Sequence, residues 1–414
     1  MHVLYLHQYF HTRTGTSGTR SYEFARRLVE KGHRVTLMTS GRCTEERLTV
    51  PPGARFIRVE VDGIQVVPIA AAYADGLKGT GMSGYVRMAH FHHFARLAAK
   101  VGRQLDRPDV VFATHTPLTI GLPGIKLARH FGVPFVFEVR DLWPDALVNC
   151  GALKNPLAIW YLRRLEHKIY HAAQHIVVLS PGMKAGVVRA GIPAARVTVI
   201  TNASDLDLFR PDIDGSAARR RLGLGDSFAA VYFGAMGLAN GLEYVVEAAR
   251  ILKQRGNGRV KLVLHGKGGR RPHLEALARK YDLSNLVFSD PVPDKAAVAE
   301  IVAGCNACMT IYANTKEEQT WSPNKMFDAL AAGQPVLINV PGWLGDTIEQ
   351  NECGRYVDPD HPEALADAVT ALSTNPELCT EMGRNARALA EREFARDILA
   401  DRLEHVLKEA VATG

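Results

Sequence analysis

The chain is poor in cysteine, in long apolar runs and in acidic residues, and each shortage excludes something. Its six cysteines among 414 residues are scattered. That fits a reducing compartment better than a disulfide framework. Cys305 and Cys308 form a lone CxxC in an apolar stretch. Without a second ligand pair they read as small buried residues rather than a metal site. No apolar run approaches the roughly 20 residues that span a bilayer, and no signal-peptide pattern opens the chain, so a cytoplasmic location is expected. Asp and Glu total 43 against 50 Lys and Arg, a net charge of +7. The excess favours anionic partners. Neither a zinc-finger spacing nor an RNP-like motif is found, so nucleic acid is not expected. Phosphorylated substrates or an anionic membrane surface account for the charge as easily. Apolar residues are 47% and charged residues 22% of the chain, as in a soluble globular protein. The length calls for two domains.

What is present is a repeated alternation. HVLYLHQYF reads as a strand, TRTGTSGTR as a loop, SYEFARRLVEKG as a helix and VTLM as the next strand. This is a β–loop–α–β unit with a glycine loop where a parallel sheet binds phosphates. Gly15 and Gly18 do not match GxGxxG, so a nicotinamide cofactor is poorly supported. A glycine turn without a ligand is the alternative. Residues 44 to 83 read as irregular. YVRMAHFHHFARLAAKVGRQL reads as an amphipathic helix with Met88, Phe91, Phe94 or Ala95, Ala98 and Val101 in its core stripe. His92, Arg96, Lys100 and Arg103 fall on another face, either simply solvated or lying on lipid headgroups. DVVFAT and PFVFEV are strands, and His115, Arg140 and Asp141 stand at their carboxyl ends, where open α/β sheets bind ligands. His115 is a ligand contact or a loop histidine bonded to backbone. Arg140 and Asp141 are functional or a local ion pair.

A second alternation starts near Ala229. AAVYFGAMG and KLVLHGKGG are strands running into glycine loops, at Gly234 and Gly266. The later stretch Ser322 to Ile338, SPNKMFDALAAGQPVLI, is the most informative in the chain. Met326, Phe327, Leu330 and Ala331 have helical spacing, Ser322 suits the N-cap and Pro323 the first helical position. Gly333 ends the helix, and Pro335 to Ile338 reads as a buried strand. A helix start presents outward N–H groups and a partial positive charge, to which Lys325 adds a full one. Asp328 lies one turn further in. Phosphate at the helix start and ribose hydroxyls on the carboxylate would suit a nucleotide sugar.

The two arrays imply an α/β protein of two doubly wound, Rossmann-like domains facing across a cleft. The expected domains are 1–205, completed by a C-terminal helix at about 393–414, and 206–392 for nucleotide-sugar binding.

In this order the motifs resemble the retaining glycosyltransferases of family 4, which have the GT-B fold. The resemblance rests on the first glycine loop, GHRVTL, TNASDLDLFRP, FGAMGLANGL and FDALAAGQPVL. SPNKMFD, PGWL and FEVRDLWPDAL look most like a bacterial subgroup that adds amino sugars in O-antigen, capsule or other envelope polysaccharide assembly. The chain departs from the family pattern in places. The second of two paired glutamates, which holds the ribose, is Asp328, and the first falls at Thr320, with Glu317 or Glu318 as substitutes. The Arg and Lys that clamp the diphosphate align with Ala235 and Asn240, and a His-Asp pair is replaced by Arg140-Asp141.

The resemblance implies metal-independent transfer with front-face attack from a UDP-sugar, of N-acetylhexosamine type, to an acceptor glycan that is lipid-linked or a small molecule. No further cofactor is implied. Gly18, Gly234, Asn240, Gly266, Ser322, Pro323, Asn324, Lys325 and Asp328 would hold the donor. Arg140, Asp141, His115 and Lys325 would serve the chemistry, and peripheral contact with the inner face of the membrane is compatible with the charge. A GT-B-fold sugar-nucleotide epimerase and a non-catalytic nucleotide-binding subunit are the alternatives.

Overall fold

The computed structural model describes residues 1–13, 18–41, 46–71, 84–149, 151–203, 205–314 and 320–414. Contacts divide the chain into two units: Met1–Thr201 with Asp397–Gly414, and Asn202–Arg396.

The first unit is built on eight strands: β1 (His2–Leu6), β2 (Arg34–Ser40), β3 (Val59–Val61), β4 (Ile64–Ile69), β5 (Val110–Thr114), β6 (Phe135–Val139), β7 (His175–Val178) and β8 (Val197–Val199). Their order is β3-β4-β2-β1-β5-β6-β7-β8, and all neighbours are parallel except β3 and β4. β1, β5 and β6 are buried at every position, as continuous apolar runs covered on both faces must be. Irregular structure over the whole of residues 44 to 83 is not what is found. Val59–Val61 and Ile64–Ile69 form a hairpin around Asp62 and Gly63, whose φ values are 50° and 76°. Asp-Gly supplies the two positive φ angles of a two-residue hairpin turn. β4 then pairs in parallel with β2, from Thr36↔Gln65 to Ser40↔Ile69.

The helix Gly84–Gly102 buries Phe91, Phe94, Ala98 and Val101 and leaves Arg96 and Lys100 exposed, as its periodicity predicts, while Met88 and His92 are both half-buried. The C-terminal helix Arg396–Thr413 ties to the first unit through ion pairs of Asp397 with Arg27 and Asp401 with Lys31. His33 Nε2 lies 2.8 Å from Glu404.

The second unit has six strands: β9 (Phe228–Phe233), β10 (Val260–His265), β11 (Leu286–Ser289), β12 (Ala307–Thr310), β13 (Val336–Ile338) and β14 (Gly354–Tyr356). All pair in parallel in the order β11-β10-β9-β12-β13-β14. Counted from its first strand this is the 3-2-1-4-5-6 order of a doubly wound sheet, with its switch point between β9 and β12. Two apolar clusters sandwich the sheet, one around Phe327, Leu330 and Phe394, the other around Tyr232, Val245 and Leu264. Cys305 and Cys308 are buried in it, and no group of metal-ligating side chains occurs among the described residues. No helix among them is long and apolar enough to cross a membrane.

Candidate functional site

In the second unit, the candidate site residues gather where β9 and β12 diverge. β9 ends at Phe233 and β10 at His265, and the glycine loops that follow are fastened together. Gly234 N–H donates to His265 O (3.0 Å), Met236 N–H to Lys267 O (2.9 Å) and Arg270 N–H to Met236 O (3.0 Å). Gly266 has φ +132°, and a Cβ there would stand 2.1 Å from the Gly234 carbonyl oxygen. Only glycine permits that approach.

Lys325 reaches these loops from the helix Asn324–Ala331. Its Nζ donates to the Tyr232 hydroxyl oxygen (2.7 Å), and the Tyr232 hydroxyl donates to Ala235 O (2.6 Å). The same Nζ lies 3.9 Å from the centroid of the Tyr232 ring and 5.1 Å from that of Tyr312. A Cβ on Gly234 would sit 3.6 Å from it. Burial against the two rings pulls the ammonium down to about 7. Cation–π attraction favours the charged form, but here desolvation outweighs it. Tyr312 packs against Trp321 with ring centroids 3.9 Å apart and the planes tilted by 44°, and Trp343 Nε1–H donates to Trp321 O (3.2 Å), so an aromatic wall flanks the lysine.

The start of this helix differs from the expected one. Pro323 is the N-cap, with ψ 122°, and Asn324 is the first helical residue. Ser322 does not cap: its Oγ accepts from Asn202 N–H (3.0 Å), and its carbonyl accepts from Asn202 Nδ2 (2.6 Å). The serine is drawn away because the chain entering the unit at Asn202 has backbone and amide groups to satisfy. The helix start therefore has no side-chain cap. Its C-terminus is a Schellman motif, with Gly333 N–H donating to Leu330 O (3.0 Å) and Gln334 N–H to Ala329 O (3.1 Å).

Asp328 is 6% exposed, and its Oδ1 has no hydrogen-bond partner among the described residues. Burial raises its carboxyl to about 6; Lys295 and Arg396 pull it down and Asp205 pushes it up. Asn240 closes its own turn, its Oδ1 accepting from Gly237 N–H (3.1 Å). Thr320 is half-buried, while Glu317 and Glu318 lie outside the described residues.

In the first unit a second cluster stands at the carboxyl ends of β1, β5 and β6, around that sheet's own switch point. His115 follows β5 and is 1% exposed; neither ring nitrogen has a hydrogen-bond partner among the described residues. Its ring meets Trp143 edge-on at 5.2 Å. Burial, and secondarily the charge of Arg140, lower its imidazole to about 3, so the ring is neutral. The backbone-bonded histidine ring considered above is thus not found.

Arg140 follows β6 and is half-buried, with no hydrogen bond or ion pair among the described residues, to Asp141 or any other. Its field reaches Tyr5, His7, His115 and Glu138. Asp141 is exposed, with its carbonyl accepting from Trp143 N–H (3.0 Å). Beneath them Arg20 donates through Nε (3.0 Å) and Nη2 (2.8 Å) to Glu138 Oε1, and the Thr114 hydroxyl donates to Glu138 Oε2. Glu138 is thereby held below the usual carboxylate range although burial opposes this. Gly18 is exposed, two residues before the helix Arg20–Glu30; Gly15 lies outside the described residues.

Sequence reasoning missed His7 and Gln8. Both are buried just beyond β1; His7 Nδ1 lies 2.7 Å from Ser21 Oγ, and neither side-chain amide atom of Gln8 has a partner among the described residues. Their signal was position, polar residues directly after an apolar strand at a sheet's carboxyl edge. Tyr232 and Tyr312 were missed because alone they read as core aromatics.

Two family models match the chain: the glycosyl transferase 4-like domain over residues 15–203 and glycosyl transferases group 1 over residues 216–389. The chain is a glycosyltransferase of the GT-B fold. Alpha-D-kanosaminyltransferase of Streptomyces kanamyceticus is 25% identical over 294 residues, covering 68% of this chain and 72% of that protein. A GDP-mannose-dependent alpha-(1-6)-phosphatidylinositol monomannoside mannosyltransferase of Mycobacterium tuberculosis is 28% identical over 313 residues, covering 73% of this glycosyltransferase and 76% of the relative. Sucrose-phosphate synthase of Thermosynechococcus elongatus superposes over the full length of both chains with a TM-score of 0.78 and 19% identity. HepE of Anabaena, solved with UDP and glucose, gives 0.70 and 16% over 99% of this chain and 100% of its own.

Proposed function

We propose that this glycosyltransferase moves a sugar, of N-acetylhexosamine type, from a UDP-linked donor to an acceptor hydroxyl on a lipid-linked or small-molecule glycan of the cell envelope, with retention of configuration. The observation that carries the donor half is the meeting of Lys325, the zipped loops at Gly234 and Gly266, and an uncapped helix start at one switch point. The diphosphate-clamping residues expected from the family fall at Ala235 and Asn240, which have no cationic side chain. Lys325 brings a cation to the same loop from the following helix. UDP is supported by the HepE complex, and an amino-sugar donor by the kanosaminyltransferase relative.

In this reading the bond between the anomeric carbon and the β-phosphate oxygen breaks while the acceptor oxygen forms the new bond on the same face. The charge that appears on the leaving diphosphate is met by Lys325 and the N–H groups of the helix start; one such preorganised donor is worth about 3 kcal/mol. The departing phosphate takes the acceptor's proton. Asp328 accepts from the ribose hydroxyls, which gives its partnerless Oδ1 a donor. In the first unit, neutral His115, Gln8 and Arg140, which has no ion pair among the described residues, offer one cation and several uncharged polar groups to hydroxyl-bearing substrate.

The test is a panel of nucleoside-diphosphate sugars with and without glycan acceptors, with product configuration read by NMR. A retained linkage from a UDP-sugar is expected. Epimerisation of donor alone, or binding without turnover across the panel, would overturn the transferase reading. Transfer from a GDP-sugar alone, as the mannosyltransferase relative's name suggests, would overturn the choice of UDP.

A further inference from the structure

The helix Pro156–Ala172 turns an unusual face to solvent. Leu162, Leu165, Ile169 and Tyr170 are buried in the first unit. On the opposite side Leu157 is 75% exposed, Trp160 60% and Tyr161 37%. Arg163, Arg164 and Lys168, also exposed, interleave with these apolar residues at helical spacing. The Arg164 guanidinium lies over the Trp160 ring, 5.3 Å from its centroid.

The face continues onto the neighbouring helix Gly84–Gly102. Asn155 Nδ2 donates to the hydroxyl of Tyr85, itself 75% exposed, and Tyr161 OH lies 2.8 Å from His92 Nε2. Arg96 follows one turn after His92 and is exposed. Acidic groups are scarce here among the described residues. The helix Gly84–Gly102 has none; in Pro156–Ala172 the only one, Glu166, is half-buried. Asp145 pairs with Arg163 at 3.2 Å.

We infer that this face docks on an anionic lipid bilayer, the aromatic and leucine side chains entering the headgroup boundary and the arginines and lysine meeting lipid phosphates. Trp and Tyr suit that boundary because one end of the ring system is apolar and the other hydrogen-bonds. Long basic side chains bury their stems and keep their charge at the headgroups. Charge complementarity selects this occupant. An isologous contact between two copies would set cation against cation, and a neutral glycan gives the cations no partner. The face is not the basic stripe read from sequence on the helix Gly84–Gly102, although His92 and Arg96 belong to both. It is independent of the donor site and of the sugar transferred.

The experiment is co-sedimentation of the full chain with vesicles of phosphatidylcholine alone or mixed with phosphatidylglycerol, at low and high salt, beside sedimentation velocity without lipid. Binding to the mixed vesicles only, weakened by salt, is expected. Each basic residue near the surface is worth a factor of about five in partitioning. R164E/K168E should therefore lower binding by at least about 25-fold. L157S/W160S should also weaken it, and both variants should keep the wild-type circular dichroism. On vesicle addition the wild type should show a blue shift in tryptophan emission that W160F lacks. No binding to mixed vesicles at low salt would overturn the inference. So would wild-type partitioning by both variants, or a dimer that L157S/W160S breaks into monomers, which would make the face a contact between copies.

Discussion

Replacing Lys325 probes the donor site most directly, because its ammonium is held by one phenol and two ring faces. A charge-assisted hydrogen bond contributes about 1.5–3 kcal/mol, and a unit charge about 4 Å away at an effective dielectric near 20 about 4 kcal/mol. Lys325→Met should therefore raise the donor Kd by roughly 10- to 1,000-fold, since every 1.4 kcal/mol is tenfold. The burial that lowers the ammonium from 10.5 to about 7 adds a pH signature. The donor's diphosphate selects the protonated amine. Affinity should be flat below pH 7 and fall about tenfold per pH unit above it, until the amine of the complex itself titrates. A sugar nucleotide's diester phosphates do not titrate there, so the slope belongs to the protein. Stability without donor should run the other way. Between the lowered folded value and 10.5 the unfolded chain binds more protons, so the free protein gains stability as pH rises through that window. Isothermal titration calorimetry in two buffers of different ionisation enthalpy measures both Kd and proton uptake. Lys325→Arg, always charged, should flatten the profile. A wild-type Kd independent of pH across the neutral range, together with an unaffected Lys325→Met, would refute the clamp.

Asp328→Asn should stabilise the free protein above pH 6 by up to about 3 kcal/mol, since each pKa unit is worth about 1.4 kcal/mol, while weakening donor binding at least tenfold. The sign follows from a raised carboxyl: wild-type stability falls as pH climbs from 3.8 to about 6, and the amide removes that loss. Thermal melts with and without donor check both halves, and a variant both less stable and equally tight would contradict the ribose role. His115→Phe keeps the packing against Trp143 and removes two unsatisfied nitrogens, so stability should hold or rise by about 1–2 kcal/mol while turnover drops. Unchanged turnover would remove His115 from the site. Arg20→Met strands Glu138 and should cost about 3–5 kcal/mol in urea unfolding, most of it recovered by adding Glu138→Leu. A loss as large in the double variant would show that Arg20 acts through something other than this carboxylate.

Local chemistry made much of the fold legible. The buried apolar runs of β1, β5, β6, β9 and β10 and the glycine-ended helix before β13 can each be read within a few residues, because strand burial and the Schellman end are short-range requirements. The hairpin at Asp62-Gly63 carried its own turn signal and was missed among polar neighbours. At the site, Gly234, Gly266, Lys325 and Asp328 could be singled out from position after a strand or in a helix's first turns. Their partners could not.

The sequence by itself determined that two parallel βα arrays would form and that polar residues would collect at their carboxyl edges. Apolar periodicity and glycine placement require no distant information. Only the tertiary structure decided that Lys325 meets Tyr232, 93 residues away, that Ser322 turns to Asn202, 120 residues away, and that the charge of Arg140 acts on a buried, neutral His115. Strand order sets those neighbours, and neighbours set desolvation. Desolvation is what moves a lysine to about 7 and a carboxyl to about 6.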